Sequence, residues 1–280
     1  MTHPVLSLAA SAFGKPVRRL GLAGRVGSEL MPDDVRFAIE RGVNFLNWPG
    51  EADEPGGADA VSETVAGLGV KRDSVVVCVQ FGARTAADAA NELRTVLATL
   101  RSEYVDVLTL YYVEQAAEWE ALRAPGGALD YLAAAKRDGA VRRIGVTSHQ
   151  RPLAAAMAQS GQLDALMIRY NAAHRGAERD LFPVTDALGT PVIAYTALRW
   201  GALMLATPDD PPGFVVPRAA DWYRFTLHSP SVAVALSAPA SRAELDEDLR
   251  VIDAEPLSNE AYERLAAHGQ RVRRHAGGFP

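Results

Sequence analysis

The sequence predicts an α/β protein with one domain, a closed (β/α)8 TIM barrel, and two observations lead to this fold class. Short β-branched runs alternate with longer amphipathic segments, which is typical of parallel strands joined by crossover helices. Eight such pairs fit into 280 residues, a length at which a barrel folds as one unit. A doubly wound open sheet is the alternative. Because no Gly/Ser-rich linker interrupts the chain, residues 1–280 are predicted to form a single domain.

The predicted elements follow one another in regular order. The strands are short apolar runs, at residues 18–23, 43–48, 74–80, 105–112, 142–149, 165–171, 191–197 and 232–238. The helices have helical periodicity or helix-start residues, at 33–41, 59–68, 85–100, 127–137, 152–159, 175–188, 219–228 and 242–253. Pro32 opens the first helix and Gly42 ends it. Residues 204–218 are predicted to be a loop over one face.

The amino-acid composition limits the kinds of partner that the protein can bind. The chain is 48% hydrophobic and 22% charged, with a net charge of −5, so it can bury one large core and has no basic surface for nucleic acid. Its single cysteine, Cys78, lies in an apolar run and is predicted to be buried and structural. No apolar run reaches the ~20 residues that span a bilayer, and the N-terminus lacks a basic signal start. We therefore expect a cytoplasmic protein with a small-molecule substrate, no membrane partner and no metal; the oligomeric state stays open.

In such a barrel the functional groups lie at the carboxyl ends of the strands. The predicted strand ends therefore give a set of candidate site residues: Asn47, Trp48, Gln80, Tyr111, Tyr112, Ser148, His149, Arg169, Tyr170, Asn171, Tyr195 and Ala238.

Several stretches, in the right order, resemble the aldo/keto reductase family. They are RRLGLAG, GVNFL, EYVDVLTL, GAVRRIGVTSH, YNAAHRGAERDLFP, PVIAYTALRWGAL and SAPASRAELDEDL, within residues 18–268. The resemblance implies an NADP(H)-linked oxidoreductase that acts on a small carbonyl compound or alcohol.

The resemblance also implies a divergent active site. The family uses an Asp, a Tyr proton donor, a Lys and a His, and the matching positions here are Asn47, Ala52, Gln80 and Tyr111. Asn47 and Gln80 carry no charge, and losing both charges together avoids a stranded buried ion. Tyr111 becomes the first candidate for the proton donor and His149 the second.

The implied cofactor site is better retained at its nicotinamide end. The resemblance places Thr147 and Ser148 on the nicotinamide amide, Arg169 beside them, and Tyr195 against the ring. The loop that wraps the pyrophosphate in the family holds Leu198, Arg199, Trp200 and Gly201 here. At the 2′-phosphate end the usual cations are replaced, which leaves Ser241 and Arg242 as the candidate contacts.

A polar segment after the sixth strand, residues 169–178, has two interpretations. It is a clamp for an anion or carbonyl, with Arg169 or Arg175 orienting a substrate and His174 as a proton carrier. Alternatively, Arg175 and Glu178 form an ion pair in the first turn of the next helix, and His174 is the cap of that helix. The predicted substrate pocket consists of Trp48, Tyr112, Asn171 and His174.

Three functions are compatible with these residues. The first is an NADP(H)-linked oxidoreductase with a rebuilt proton-donor site. The second is a catalytically silent barrel that binds a small ligand or a partner. The third is a non-redox dehydratase or isomerase in which His149 or Tyr111 acts as acid and base.

Overall fold

The structure is a computed structural model that describes residues 12–50 and 59–275. Eight parallel strands close into a barrel, each hydrogen-bonded to the next in chain order and the last to the first. The strands are β1 (Leu20–Ala23), β2 (Phe45–Trp48), β3 (Val76–Phe81), β4 (Val107–Leu110), β5 (Ile144–Ser148), β6 (Ala165–Arg169), β7 (Val192–Tyr195) and β8 (Val232–Ser237). The predicted fold class is confirmed.

The helices surround the barrel. They are α1 (Pro32–Glu40), α2 (Ala60–Ala66), α3 (Ala86–Thr99), α4 (Ala116–Arg123), α5 (Ala128–Arg137), α6 (Arg151–Gln159), α7 (Ala177–Asp180), α8 (Phe182–Leu188), α9 (Ala219–His228), α10 (Arg242–Asp248) and α11 (Asn259–His275). Within the described ranges, no helix is both long and apolar enough to cross a membrane.

Two predicted helices differ from the structure. The one expected at 175–188 is divided into α7 and α8, because Leu181 leaves the helical conformation and Pro183 starts a new helix. The one expected at 242–253 ends at Asp248 and continues as a 3₁₀ helix, Leu249–Asp253. Helices α4 and α11 were not predicted.

Side chains inside the barrel come from alternate positions on each strand. Phe45, Cys78, Met167 and Ile193 share an interior apolar cluster, which Phe13 closes from below by packing edge-on against Phe45 at 5.0 Å between ring centroids. Cys78 is fully buried, as predicted, and burial raises the pKa of its thiol. The intervening side chains pack against the helices in a second, larger cluster. This alternation decides which residues at the strand ends point into the barrel.

The C-terminal helix packs against the turn that follows β6. A Cβ on Gly269 of α11 would lie 2.4 Å from the carbonyl oxygen of Ala172, so only glycine permits this approach. Residues 204–218 form an irregular loop, as predicted, and Asp210 ties that loop to His268 and Arg271 of α11 at 3.0 and 2.6 Å. Helix α11 and the loop therefore hold each other on one side of the barrel.

Candidate active site

Five of the predicted residues end the inward-facing rows of the barrel strands. They are Asn47 on β2, Gln80 on β3, Thr147 on β5, Arg169 on β6 and Tyr195 on β7. Asn47, Gln80, Arg169 and Tyr195 each lie two positions after an interior residue, and Arg169 pairs in register with Tyr195. Asn47 Oδ1 and Thr147 Oγ1 are buried without a hydrogen-bond partner among the described residues. The carboxyl end of the barrel thus gathers polar groups around its axis.

Aromatic rings from three strand ends meet above these groups. Tyr112 stacks on His149 with 4.5 Å between centroids, and it approaches Tyr195 edge-on at 6.4 Å. Tyr111 packs against Tyr112 at 4.1 Å. Strand β4 ends at Leu110, and Tyr112 has a φ of 44°, an unusual conformation for a bulky residue. This turn brings both tyrosines to the mouth, whereas adjacent residues of a regular strand would point to opposite sides.

His149 is held by a carboxylate. Glu114 Oε1 lies 3.2 Å from His149 Nδ1 and accepts the backbone N–H of the same residue at 2.8 Å. With the carboxylate as acceptor, we assign the ring hydrogen to Nδ1, which leaves Nε2 with its lone pair. Burial lowers the pKa of His149 from its usual 6.5, and Arg169 acts in the same direction, while Glu114 opposes both. The imidazole is therefore neutral at pH 7 and fixed in orientation.

Glu114 is the site residue that the sequence did not reveal. It lies in the connection between β4 and α4, and its own N–H donates to Glu118 at 3.1 Å. Backbone pairing of Val113 N with Thr147 O, at 2.9 Å, brings this connection beside the end of β5. The available signal was an acidic residue three positions after Tyr111, but its partner on another strand end is set by tertiary structure.

The turn after β6 combines a structural and an electrostatic role. The Asn171 side chain donates to Thr196 O and accepts from Ala173 N, both at 2.9 Å, so it fixes the turn. His174 follows in the same turn, and burial, Arg169 and Arg199 together lower its pKa to about 3. His174 is thus neutral at physiological pH.

The alternative interpretation of residues 169–178 is supported for the ion pair, whereas the N-cap of α7 is Gly176 and not His174. Arg175 Nε donates to Glu178 Oε1 at 2.7 Å, and Tyr170 donates to the same oxygen at 2.7 Å. Arg175 also reaches Tyr262 of α11 at 3.0 Å. The Arg175 guanidinium therefore joins α7 to α11.

The loop after β7 has an unusual backbone and borders a cavity. Thr196, Arg199 and Trp200 have φ values of 55°, 51° and 51°. Leu198, Trp200 and Gly201 line a cavity of about 580 Å³ between this loop and β8. Arg199 is instead buried and donates to Val272 O of α11 at 3.3 Å.

The two residues predicted for the phosphate end lie at the start of α10. Ser241 caps this helix by accepting the N–H of Glu244 at 3.3 Å. Arg242 pairs with Asp34 at 3.0 Å and with Asp246 at 3.1 Å, and its guanidinium lies 3.8 Å from the centre of the Phe37 ring. It packs against α1 and is not part of the cavity wall.

Two other predicted residues point away from the barrel axis. Trp48 belongs to the cluster between strands and helices and lines a separate cavity of about 340 Å³ beside Asp59 and the loop after β1. Ser148 Oγ accepts the N–H of Gln150 at 3.1 Å, just before α6. Ala52, the residue at the tyrosine position of the family, lies outside the described residues.

The fold has clear structural relatives. The chain aligns with the holo form of the aldo-keto reductase AKR11C1 from Bacillus halodurans over 95% of its length and 94% of that chain, with 16% identity and a TM-score of 0.74. It aligns with an aldo-keto reductase from Klebsiella pneumoniae in complex with NADPH over 96% of both chains, with 20% identity and a TM-score of 0.75. A second Klebsiella pneumoniae structure, in complex with NADP and acetate, gives 21% identity and a TM-score of 0.73 over 91% of this chain and 92% of that one. At these identities the likeness concerns the fold. No curated protein matches the sequence.

A closed barrel with polar and aromatic groups at its carboxyl end defines the class of (β/α)8 enzyme folds. The aldo/keto reductase family model matches residues 22–215, more than half of the chain. The chain therefore belongs to the aldo/keto reductase family.

Proposed function

We propose that the chain is a nicotinamide-dependent oxidoreductase that interconverts a small carbonyl compound and its alcohol. In this proposal His149 carries the proton. The observation that carries the proposal is the Glu114–His149 pair at the barrel mouth, where the ring stacks on Tyr112 and lies 6.0 Å from the Tyr195 ring centroid.

The described residues fit the nicotinamide end of such a cofactor. Asn47 Oδ1 and Thr147 Oγ1 are buried without a protein partner, and groups of these types can bind a carboxamide. Tyr195, at the end of β7, offers an aromatic ring at the same mouth of the barrel, and burial raises the pKa of its phenol, so the ring stays uncharged. The fit is poorer at the 2′-phosphate end, because carboxylates line the cavity beside β8.

The protein contributes proton transfer and orientation. When bound, a reduced nicotinamide would supply the hydride for the carbonyl carbon. Protonated His149 gives its Nε2 proton to the carbonyl oxygen, while Glu114 holds the Nδ1–H and keeps the ring in place. In alcohol oxidation the neutral ring accepts that proton at Nε2. Because the pKa of His149 lies below 6.5, the neutral form prevails at pH 7, which favours proton acceptance.

His149 is a better candidate than Tyr111 for two reasons. Its ordinary pKa is far closer to neutral than that of a phenol, and transfer is most efficient when the pKa is near the working pH. In addition, Glu114 fixes the orientation of the imidazole through its Nδ1.

The test is a survey of activity with three matched variants. Absorbance at 340 nm follows NADPH and NADH oxidation with small aldehydes and ketones, and the reverse reaction with small alcohols. His149→Gln, which keeps hydrogen bonding but cannot carry a proton, is expected to lower kcat/KM by roughly 10²- to 10⁴-fold. Tyr111→Phe and Tyr112→Phe are expected to retain most turnover, and circular dichroism checks the folding of each variant.

Each contrary outcome would support a different proton donor or a different function. Loss of turnover in Tyr111→Phe with activity retained in His149→Gln would move the proton donor to Tyr111. If neither NADPH nor NADH binds at high micromolar concentration, the oxidoreductase proposal fails and the ligand-binding barrel replaces it. Conversion of a substrate without any nicotinamide would support a dehydratase or isomerase.

A further inference from the structure

The cavity beside β8 begins one residue after Tyr195 and runs along the loop that follows β7. Its volume of about 580 Å³ falls in the range of ligand and cofactor pockets. Leu198, Trp200 and Gly201 form one wall, and Glu244, Glu247 and Asp248 of α10 contribute to the opposite one. The cavity therefore extends from the proposed nicotinamide end towards the start of α10.

Most of the charged residues that line this cavity are acidic. Among the described residues that line it, three carry carboxylates and one, Arg25, carries a cation. Arg25 is exposed and its Nη1 lies 3.4 Å from the carbonyl oxygen of Ala238. A second arginine near this corner, Arg242, forms ion pairs with Asp34 and Asp246 outside the cavity wall.

A carboxylate of the protein, that of Glu244, already binds a backbone amide at the start of α10. Glu244 Oε2 accepts the N–H of Ala240 at 2.7 Å, while the Ser241 hydroxyl accepts the N–H of Glu244 at 3.3 Å. The carboxylate thus satisfies the amides that a phosphate would otherwise seek at a helix start. One turn further on, Glu247 Oε1 is buried and has no hydrogen-bond partner among the described residues. Its other oxygen, Oε2, lies 3.1 Å from Arg250 Nε.

Carboxylates at this position would distinguish NAD(H) from NADP(H), which carries an additional 2′-phosphate. They accept hydrogen bonds from the vicinal 2′- and 3′-hydroxyls of a ribose, whereas a 2′-phosphate brings a like charge against them. We propose that Glu244 and Glu247 bind the adenosine ribose of the dinucleotide, so that the protein prefers NAD(H) to NADP(H). The proposal rests on the proposed function, because it assumes that a nicotinamide dinucleotide occupies the cavity.

The first experiment is a pair of binding titrations of the intact protein with NADH and NADPH, followed by nicotinamide fluorescence at fixed ionic strength. The dissociation constant for NADH is expected to be at least about tenfold lower, a difference of about 1.4 kcal/mol. The difference should shrink as salt is added, because screening weakens repulsion between exposed charges. Equal or tighter binding of NADPH would overturn the preference and leave the oxidoreductase proposal standing.

A competition assay separates the two ends of the cofactor. ADP-ribose, which lacks nicotinamide, is expected to bind more tightly than 2′-phospho-ADP-ribose by the same factor. If neither dinucleotide and neither fragment binds, the proposed function and this inference fail together. If the fragments bind in the opposite order, only this inference fails.

Variants identify the carboxylates responsible. Glu247→Gln is expected to raise NADPH affinity about three- to tenfold and to lower NADH affinity by a smaller factor. Glu244→Gln should act in the same direction, but it also alters the start of α10, so Glu247→Gln keeps the test valid if that helix is disturbed. Glu103→Gln is the control, since Glu103 is exposed just before β4 at the opposite end of the barrel. An unchanged NADH:NADPH ratio in both cavity variants would contradict the assignment.

Discussion

The two ends of the barrel differ in how many partners surround a buried or half-buried charged group. At the amino ends of the strands, Asp106 is fully buried and is surrounded by Lys15, Arg72 and Arg142 at 3.0, 2.9 and 3.0 Å. At the carboxyl ends, Glu114 and His149 form a single half-buried pair. The first arrangement satisfies a carboxylate from several sides, and the second leaves one face of the imidazole available.

This difference between Asp106 and the Glu114–His149 pair indicates that the first contributes to stability and the second to catalysis. A buried carboxylate with several cations and a backbone donor, here Val77 N at 3.0 Å, has no capacity left for a ligand. A half-buried histidine with one orienting partner can still exchange a proton with a ligand, which is what an acid or base requires. In barrels of this class the amino end carries stability and the carboxyl end carries function. The predictions below test whether this division holds.

The largest expected effect is on stability at the amino end. Asp106→Asn removes the charge that three cations share and is expected to lower the free energy of unfolding by about 3 to 5 kcal/mol. Urea titration monitored by circular dichroism measures the change. Asp73→Asn is the matched control, because Asp73 approaches Lys15 and Arg142 at 3.9 and 3.8 Å but is 78% exposed. Equal effects of the two substitutions would show that burial at Asp106 does not matter.

The second effect concerns Asp248, which lies beneath the acidic cavity. Burial, together with the nearby carboxylates of Glu244 and Glu247, raises the pKa of its carboxyl from 3.8 to about 7, while hydrogen bonds donated by Ser237 and Tyr223 oppose this shift. The folded protein holds this proton more tightly than the unfolded chain, so its stabilising contribution is present below pH 3.8 and is lost as pH rises through 7.

Asp248→Asn removes the titrating carboxyl group, and with it the loss of stability as pH rises. Relative to wild type, the variant is expected to gain roughly 2 to 4 kcal/mol of unfolding free energy between pH 4 and pH 8. Urea midpoints at both pH values measure the gain. Asp246→Asn, on the same helix but 53% exposed, should follow the wild-type pH trend. A constant offset between Asp248→Asn and wild type would contradict the raised pKa.

The third effect concerns catalysis at the mouth. Glu114→Gln keeps an acceptor for His149 but removes the charge that raises the pKa of the imidazole, so this pKa should fall further. We expect kcat/KM to fall roughly 10- to 100-fold, because the orienting charge supports only part of the general acid–base contribution. The acidic limb of the pH profile for alcohol oxidation should move to lower pH. Loss of activity with an unmoved limb would indicate that Glu114 has a structural role alone.

The sequence predicted the parts of the molecule that depend on local periodicity. Eight apolar runs of strand length predicted the barrel, and the ends of these runs supplied Gln80 and Tyr195 as site candidates, both of which follow interior residues of β3 and β7 in the structure. Alternation applies only while the chain is extended. It fails at Tyr112, whose left-handed conformation turns the chain after β4.

The sequence could not predict contacts between groups on different strand ends. Glu114 meets His149 only because the connections after β4 and β5 lie side by side in the barrel. Arg242 has the charge and position of a phosphate contact, yet Asp34 of α1 draws its guanidinium towards the outer layer. Neither partner is recognisable from spacing along the chain.

The smallest expected effect follows from that position of Arg242. Arg242→Ala breaks exposed ion pairs with Asp34 and Asp246, which contribute little because water and salt screen them. It should leave NADPH and NADH dissociation constants within about twofold of wild type, equivalent to about 0.4 kcal/mol. Arg25→Ala is the comparison variant, because Arg25 does line the cavity and its loss should weaken binding of both dinucleotides more strongly. If Arg242→Ala instead weakens NADPH binding more than tenfold while NADH binding is unchanged, Arg242 contacts the 2′-phosphate. The acidic corner would then be part of an NADP(H) site, and the assignment of Glu244 and Glu247 to the adenosine ribose would not hold.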